Sequence, residues 1–134
     1  NSVCTTSTHD MNPLRAWVLE DRGLTQRYYN EMLGGEGDAP EQCEPWICRK
    51  IIERHLASPS MLVILPIQDW LALDSGVCYG GDPADERINV PANPRHHWDY
   101  RMHISLEQLL AETAFNAEVA SLVKKSGRIE LLCR

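Results

Sequence analysis

The sequence predicts an α/β chain, and three observations predict it: a β-branched opening segment, a second apolar run near the middle, and helical periodicity filling the interval between them. Val3 to Thr6 has the β-branched character of a strand and breaks off into Thr8-His9-Asp10. Met61 to Leu65 is a continuous apolar run bounded by Pro59 and Pro66, of strand length and expected to be buried on both faces. Two strands joined through helices are parallel, because a crossover of that length returns the chain in the same direction.

The elements follow in order. After the first strand, Leu14 to Glu20 and Thr25 to Leu33 read as helices separated by Gly23 and stopped by the loop Gly34-Gly35-Glu36-Gly37. Asp10 or Asn12, with Pro13 at the first helical position, reads most simply as a cap for the first of these. From Pro45 to Ala57, the residues Ile47, Cys48, Ile51, Ile52 and Leu56 form one apolar stripe, which Ser58-Pro59 ends. His55 borders the stripe and reads as a satisfied edge residue rather than a ligand. Past the second strand lie Gln68 and Asp69, then a polar segment from 74 to 100 that holds three of the eight prolines. Connections that long are lids or binding surfaces more often than neutral links. Ser105-Leu106-Glu107-Gln108 has the capping-box pattern, and Phe115, Val119, Leu122 and Val123 make an apolar stripe closed by Gly127, so helices are expected over 105–126.

Composition narrows the function. The 134 residues are 43% hydrophobic and 24% charged with a net charge of −6, the makeup of one ordinary soluble domain. Scattered basic residues on an acidic chain argue against nucleic acid, since phosphate neutralisation needs clustered Lys and Arg. The longest apolar run falls far short of the roughly 20 residues that span a bilayer, so no membrane partner is expected. The chain starts at Asn1 rather than methionine, which predicts that it continues a longer product. Cys4, Cys43, Cys48, Cys78 and Cys133 are odd in number and lack a C-x-x-C pair, which favours reduced thiols in a cytoplasm over disulfides or zinc. Cys48 reads as a small buried hydrophobe. His96-His97 lacks a third ligand at fixed spacing, so no metal and no cofactor is expected.

Among the aromatics, Trp46 and Trp70 follow helical apolar patterns and are expected to pack, while Trp98 in the polar segment is the better sugar-stacking candidate. Arg87 and Arg101 are expected to pair with Asp85, Glu86 or Asp99 and so fix the loop.

Three ordered motifs together resemble a known family. Thr8-His9-Asp10, then Leu65-Pro66-Ile67-Gln68-Asp69-Trp70-Leu71-Ala72-Leu73, then Glu86-Arg87-Ile88-Asn89-Val90-Pro91 followed by Trp98-Asp99-Tyr100-Arg101 are similar to the last portion of the 4-α-glucanotransferases of glycoside hydrolase family 77. The spacing around Ser58-Pro59-Ser60-Met61 and Asn93 to Trp98 is similar to the subgroup that includes the plant cytosolic disproportionating enzymes. The resemblance implies the last part of a (β/α)₈ TIM barrel, with Val3 to Thr6 and Met61 to Leu65 as its seventh and eighth strands and residues 1–134 as the C-terminal portion of the catalytic barrel.

It also implies a retaining enzyme that moves α-1,4-glucan segments between maltooligosaccharides or glucans, in which two carboxyls about 5–5.5 Å apart act as nucleophile and acid/base. Asp10 matches a third carboxylate, which stabilises the transition state by holding sugar hydroxyls. His9 matches a histidine on the same sugar, and Asn89, Gln68, Asp69 and Trp98 are the remaining substrate-binding candidates. The Arg-x-Asp and Glu-bearing motifs of the other two carboxyls do not occur here, so the chain is expected to be inactive alone. Two strands cannot close a barrel, and a helix-rich isolated fragment is expected to dimerise or swap to cover their flanks. The competing reading is a self-sufficient glucan-binding or protein-interaction module using Trp98, Tyr79 and Asn89 without catalysis.

Overall fold

The structure, a computed structural model, describes residues 1–98 and 100–128. Its element order is β1 (Val3–Cys4), α1 (Leu14–Glu20), α2 (Arg22–Glu31), α3 (Pro45–Leu56), β2 (Leu62–Val63), α4 (Ile67–Leu71), a 3-10 turn (Pro83–Glu86), α5 (Leu106–Ala111) and α6 (Thr113–Lys125). β1 and β2 pair in parallel, Val3 opposite Leu62 and Cys4 opposite Val63, with three helices between them. The crossover unit is therefore present as the sequence predicts.

Both strands are shorter than expected, and the second is not buried on both faces. Val3, Leu62 and Ile64 are exposed, Ile64 at 59%. A ladder of two strands has no neighbour to carry the pairing further, so the flanking residues of each run remain outside it.

The core lies on the helical side. Ile51 and Ile52 of α3, Val18 of α1 and Leu71 of α4 are almost fully buried, and Ile47, Cys48 and Leu56 complete the α3 stripe. Burying four or five such side chains contributes about 1.5–3 kcal/mol each, which is why α3 anchors the unit. His55 behaves as the edge residue expected, its Nδ1 2.8 Å from the carbonyl oxygen of Ile51. Trp70 packs against this core. Trp46 does not: it is exposed, with Lys50 Nζ 5.5 Å from its ring centre and Tyr29 meeting it edge-on.

Local chemistry explains most boundaries. Gly23 lies inside α2 rather than before it, because Asp21 caps that helix through a 3.0 Å bond from Leu24 N–H. Gly34 and Gly37 hold φ of 66° and 73°, and a Cβ at Gly35 would strike the Tyr29 ring at 2.2 Å, so this loop requires its glycines. The Ser105/Gln108 capping box forms on both sides, and Gly127 at φ 72° follows α6. The C-terminal helix is split, however, by Glu112 at ψ 67°. Phe115 and Leu122 turn inward, and α6 packs on α3 through the Arg49–Glu118 ion pair. Arg128 closes the C-terminal end of α3, donating to the carbonyls of Leu56, Ser58 and Ser60. Cys133 and Asp99 fall outside the described residues.

Candidate functional site

The site grows from the turn that follows β1. Thr5 Oγ1 donates to the Ser7 carbonyl at 2.6 Å and Met11 N–H to the Thr8 carbonyl at 3.0 Å, a tight reversal that leaves His9 and Asp10 half-exposed at its tip. The polar segment after the 3-10 turn comes back over this tip. Asn89 N–H donates to the His9 carbonyl at 2.9 Å, and Asn89 Nδ2 to Asp10 Oδ1 at 2.5 Å, across 79 positions of sequence. His9 Nε2 stands 3.3 Å from the same Oδ1. The Trp98 ring lies 4.6 Å from the His9 ring at 41°, and Trp98 is 63% exposed.

Arg87 fastens the arrangement, and its partners differ from those expected. Among the described residues it reaches no carboxylate of the loop; it donates to the carbonyls of Asn89 at 2.8 Å and Asp10 at 2.7 Å and to Asn12 Oδ1 at 3.4 Å. Its fork of donors suits several oxygens at once, and the irregular backbone offers them. Glu86 pairs instead with Arg15, at 3.6 Å. Arg87 was legible as a loop-fixing residue; the carbonyls it holds have no sequence signature.

Gln68 and Asp69 are placed elsewhere than at an open rim. They occupy the first turn of α4, which starts directly after Pro66, and are 4% and 1% exposed. Asp69 Oδ2 accepts from Thr6 Oγ1 at 2.5 Å and Oδ1 from Leu14 N–H at 2.8 Å. This corrects two readings. Asp69 has both oxygens engaged within the protein, and the cap of α1 is not Asp10 or Asn12: Pro13 occupies the cap position without a side-chain bond, while Asp69 supplies the acceptor from across the fold. Burial pushes the Asp69 carboxyl above its ordinary range, opposed by its bonds to Thr6 and Leu14 and by the charge of His55. Gln68 Nε2 donates to the Glu86 carbonyl at 3.1 Å, tying α4 to the 3-10 turn. Gln68 nevertheless borders a concavity of about 300 Å³ whose wall includes Thr8, His9, Ile64 and Glu86.

Hydroxyl-rich ligands are held by this combination of groups: a carboxylate and an amide for bidentate hydrogen bonding, an imidazole, and an exposed indole face for the apolar side of a ring. Among the described residues no group of three or more His, Cys, Asp or Glu side chains is placed to hold a metal ion, and no helix is long and apolar enough to cross a membrane.

Fold and rim thus define an α/β protein with a half-exposed carboxylate, an imidazole, an amide and an exposed indole gathered at its strand tips. The chain belongs to the 4-alpha-glucanotransferase family, whose model matches residues 1–107. It is 41% identical over 128 residues to the 4-alpha-glucanotransferase DPE2 of Oryza sativa subsp. japonica, covering 95% of this chain and 13% of that protein. It is 30% identical over 122 residues to the 4-alpha-glucanotransferase of Chlamydia muridarum, covering 90% and 22%. The chloroplastic/amyloplastic 4-alpha-glucanotransferase of Solanum tuberosum is 28% identical over 106 residues, covering 76% and 15%. The chain therefore spans less than a quarter of each of these relatives.

Proposed function

We propose that this chain forms the closing part, strands seven and eight, of a TIM barrel that transfers α-1,4-glucan segments between maltooligosaccharides or glucans by a retaining double displacement. The observation that carries the reading is the meeting of Asp10, His9, Asn89 and Trp98 on one rim at the C-terminal side of a parallel strand pair. Asp10 is the carboxylate that holds sugar hydroxyls as the ring flattens toward an oxocarbenium-like state. Its contacts with Asn89 and His9 fall on Oδ1, so Oδ2 is the oxygen offered to the sugar. These bonds strengthen as positive charge develops at the anomeric carbon. His9 donates to the same sugar, Asn89 orients Asp10, Trp98 covers a ring face, and Gln68 borders the floor.

The nucleophile and the acid/base lie in the part of the full-length protein that precedes these strands, so the chain alone is inactive. The open flank at Val3, Leu62 and Ile64 is covered there by the rest of the barrel and, in the isolated chain, by a second copy. The free thiols of Cys4, Cys43, Cys48 and Cys78 suit a reducing, cytoplasmic compartment.

The test is Asp10→Asn in the full-length protein. Transfer from maltotriose should fall about 10²–10³-fold, the size of losing one preorganised electrostatic contact in the transition state, with unchanged melting. Near-normal turnover would remove Asp10 from the role.

A further inference from the structure

Cys43 and Cys48 stand apart from everything the rim uses. Glu44 caps α3 and Pro45 opens it, so Cys43 is the residue before the cap and Cys48 the fourth of the helix. Those two positions face each other, and an apolar pair there often fixes the angle at which the chain enters a helix. Here the pair is two thiols, both buried, with their sulfurs 3.1 Å apart. A disulfide bond needs about 2.05 Å, so closing it asks for roughly 1 Å of approach between sulfurs already in contact. Two thiolates are too few to hold zinc, and no third metal ligand joins them among the described residues.

Access to the two sulfurs is uneven. Cys43 lines a concavity of about 320 Å³ together with Arg15, Ser75, Cys78 and Gly80, and Cys48 does not. An oxidant as small as hydrogen peroxide therefore meets Cys43 first and Cys48 only through it. The Cys43 sulfur attacks one peroxide oxygen, the O–O bond breaks, and the departing hydroxide leaves as water with the thiol proton. The Cys48 sulfur then attacks the Cys43 sulfur, the S–O bond breaks, and a second water leaves with the Cys48 proton. Two thiols and one peroxide become one disulfide and two waters. The hydrogen bond with Cys48, and then burial, push the Cys43 thiol up, so its thiolate is scarce at neutral pH and the first step is slow. The glycine loop ahead of α3 hangs on exposed polar bonds, with Gln26 Nε2 donating to the Gly37 carbonyl at 2.9 Å and Asn30 Nδ2 to that of Gly35 at 2.8 Å. A covalent tie at Cys43 fixes the end of that loop to the helix that anchors the core.

We propose that Cys43 and Cys48 are a peroxide-sensitive dithiol that closes to a disulfide across the start of α3 and clamps the loop 34–44. The experiment treats the full-length protein with millimolar hydrogen peroxide, denatures it in iodoacetamide and digests it with trypsin. Both cysteines fall in the peptide 28–49, which has no Lys or Arg before Arg49. That peptide should lose two hydrogens and take up no reagent, and dithiothreitol should restore both alkylation sites. In Cys48→Ser the Cys43 sulfur should keep the peroxide oxygen instead, and in Cys43→Ser the Cys48 thiol should stay alkylatable. Hydrogen exchange over 34–44 should slow about tenfold or more in the oxidised protein and recover on reduction. Two alkylated cysteines in 28–49 after Cys78 has been oxidised, or a bond from Cys43 to Cys78, would overturn the proposal. So would a disulfide that leaves exchange over 34–44 unchanged.

Discussion

Asp10 and Asp69 belong to the two strand-to-helix turns of the same parallel unit and have opposite surroundings. Asp69 is 1% exposed, its two oxygens taken by Thr6 and the first N–H of α1. Asp10 is 46% exposed by its side chain, and both of its contacts converge on one oxygen. A carboxylate saturated by donors within the protein has nothing to offer a ligand and serves as a staple; one held at a single oxygen is oriented and still open. The difference comes from where each turn ends. Pro66 starts α4 at once and turns Asp69 inward, whereas the reversal at Thr8 to Met11 keeps Asp10 at the tip until Pro13.

The contrast breaks most visibly in activity. Asp10→Asn should cost the 10²–10³-fold in transfer given above and leave exchange of the 10–20 segment alone. Asp69→Ala should do the reverse. It strands the Leu14 N–H and the Thr6 hydroxyl, so the opening of the start of α1 should become easier by about 2 kcal/mol, read as faster hydrogen exchange over 10–20 in the full-length protein. If Asp69→Ala abolished transfer while that segment stayed protected, the assignment of staple and site would be inverted.

A smaller effect separates orientation from contact. Arg87→Ala removes donors from the carbonyls of Asp10 and Asn89 without touching the Asp10 carboxylate. Transfer should fall about tenfold, mainly in kcat, since a loosened Asp10 loses alignment more than charge. Trp98→Ala should raise KM for maltotriose by about tenfold or less with kcat nearly kept, the signature of a ring face lost from ground and transition states alike. An equal fall in kcat would place Trp98 with Asp10 in function.

Much of this was legible because it is local. The α3 stripe, the Ser105 capping box and the apolar run before Pro66 are patterns within a dozen residues, and parallel pairing follows from the length between the strands. The rim residues His9, Asp10, Asn89 and Trp98 were legible through family motifs, and the structure brings those four together. What escaped depends on partners far away in sequence. The bond from Leu14 N–H to Asp69 spans 55 positions, and nothing near Leu14 distinguishes a helix capped by its own turn from one capped across the fold. That Asp69, just past the second strand, turns inward has no signature near Pro66 either, because the Thr6 and Leu14 donors it accepts from lie 63 and 55 positions away.

The subtlest difference between the two aspartates lies in their response to pH. Burial raises the Asp69 carboxyl above its ordinary value, so the closed turn binds its proton more tightly than the opened turn does. Between the ordinary carboxylate range near about 3.9 and the raised native value, the closed form carries more protons than the open one, and the free energy of opening must fall as pH rises. Below that window the contribution is fully present; above it, it has been lost. Protection factors for the 10–20 segment, which divide out the intrinsic pH dependence of exchange, should therefore decline as pH is raised through the window. Asp69→Asn cannot ionise and should flatten that decline. It should not abolish the whole dependence, because burial raises Glu86 in the same direction and Gln68 joins the Glu86 carbonyl to the same helix. A protection that instead grows with pH through the window, and loses that growth in Asp69→Asn, would show that the hydrogen bonds from Thr6 and Leu14 outweigh burial at Asp69 and that the staple is an ordinary ionised carboxylate.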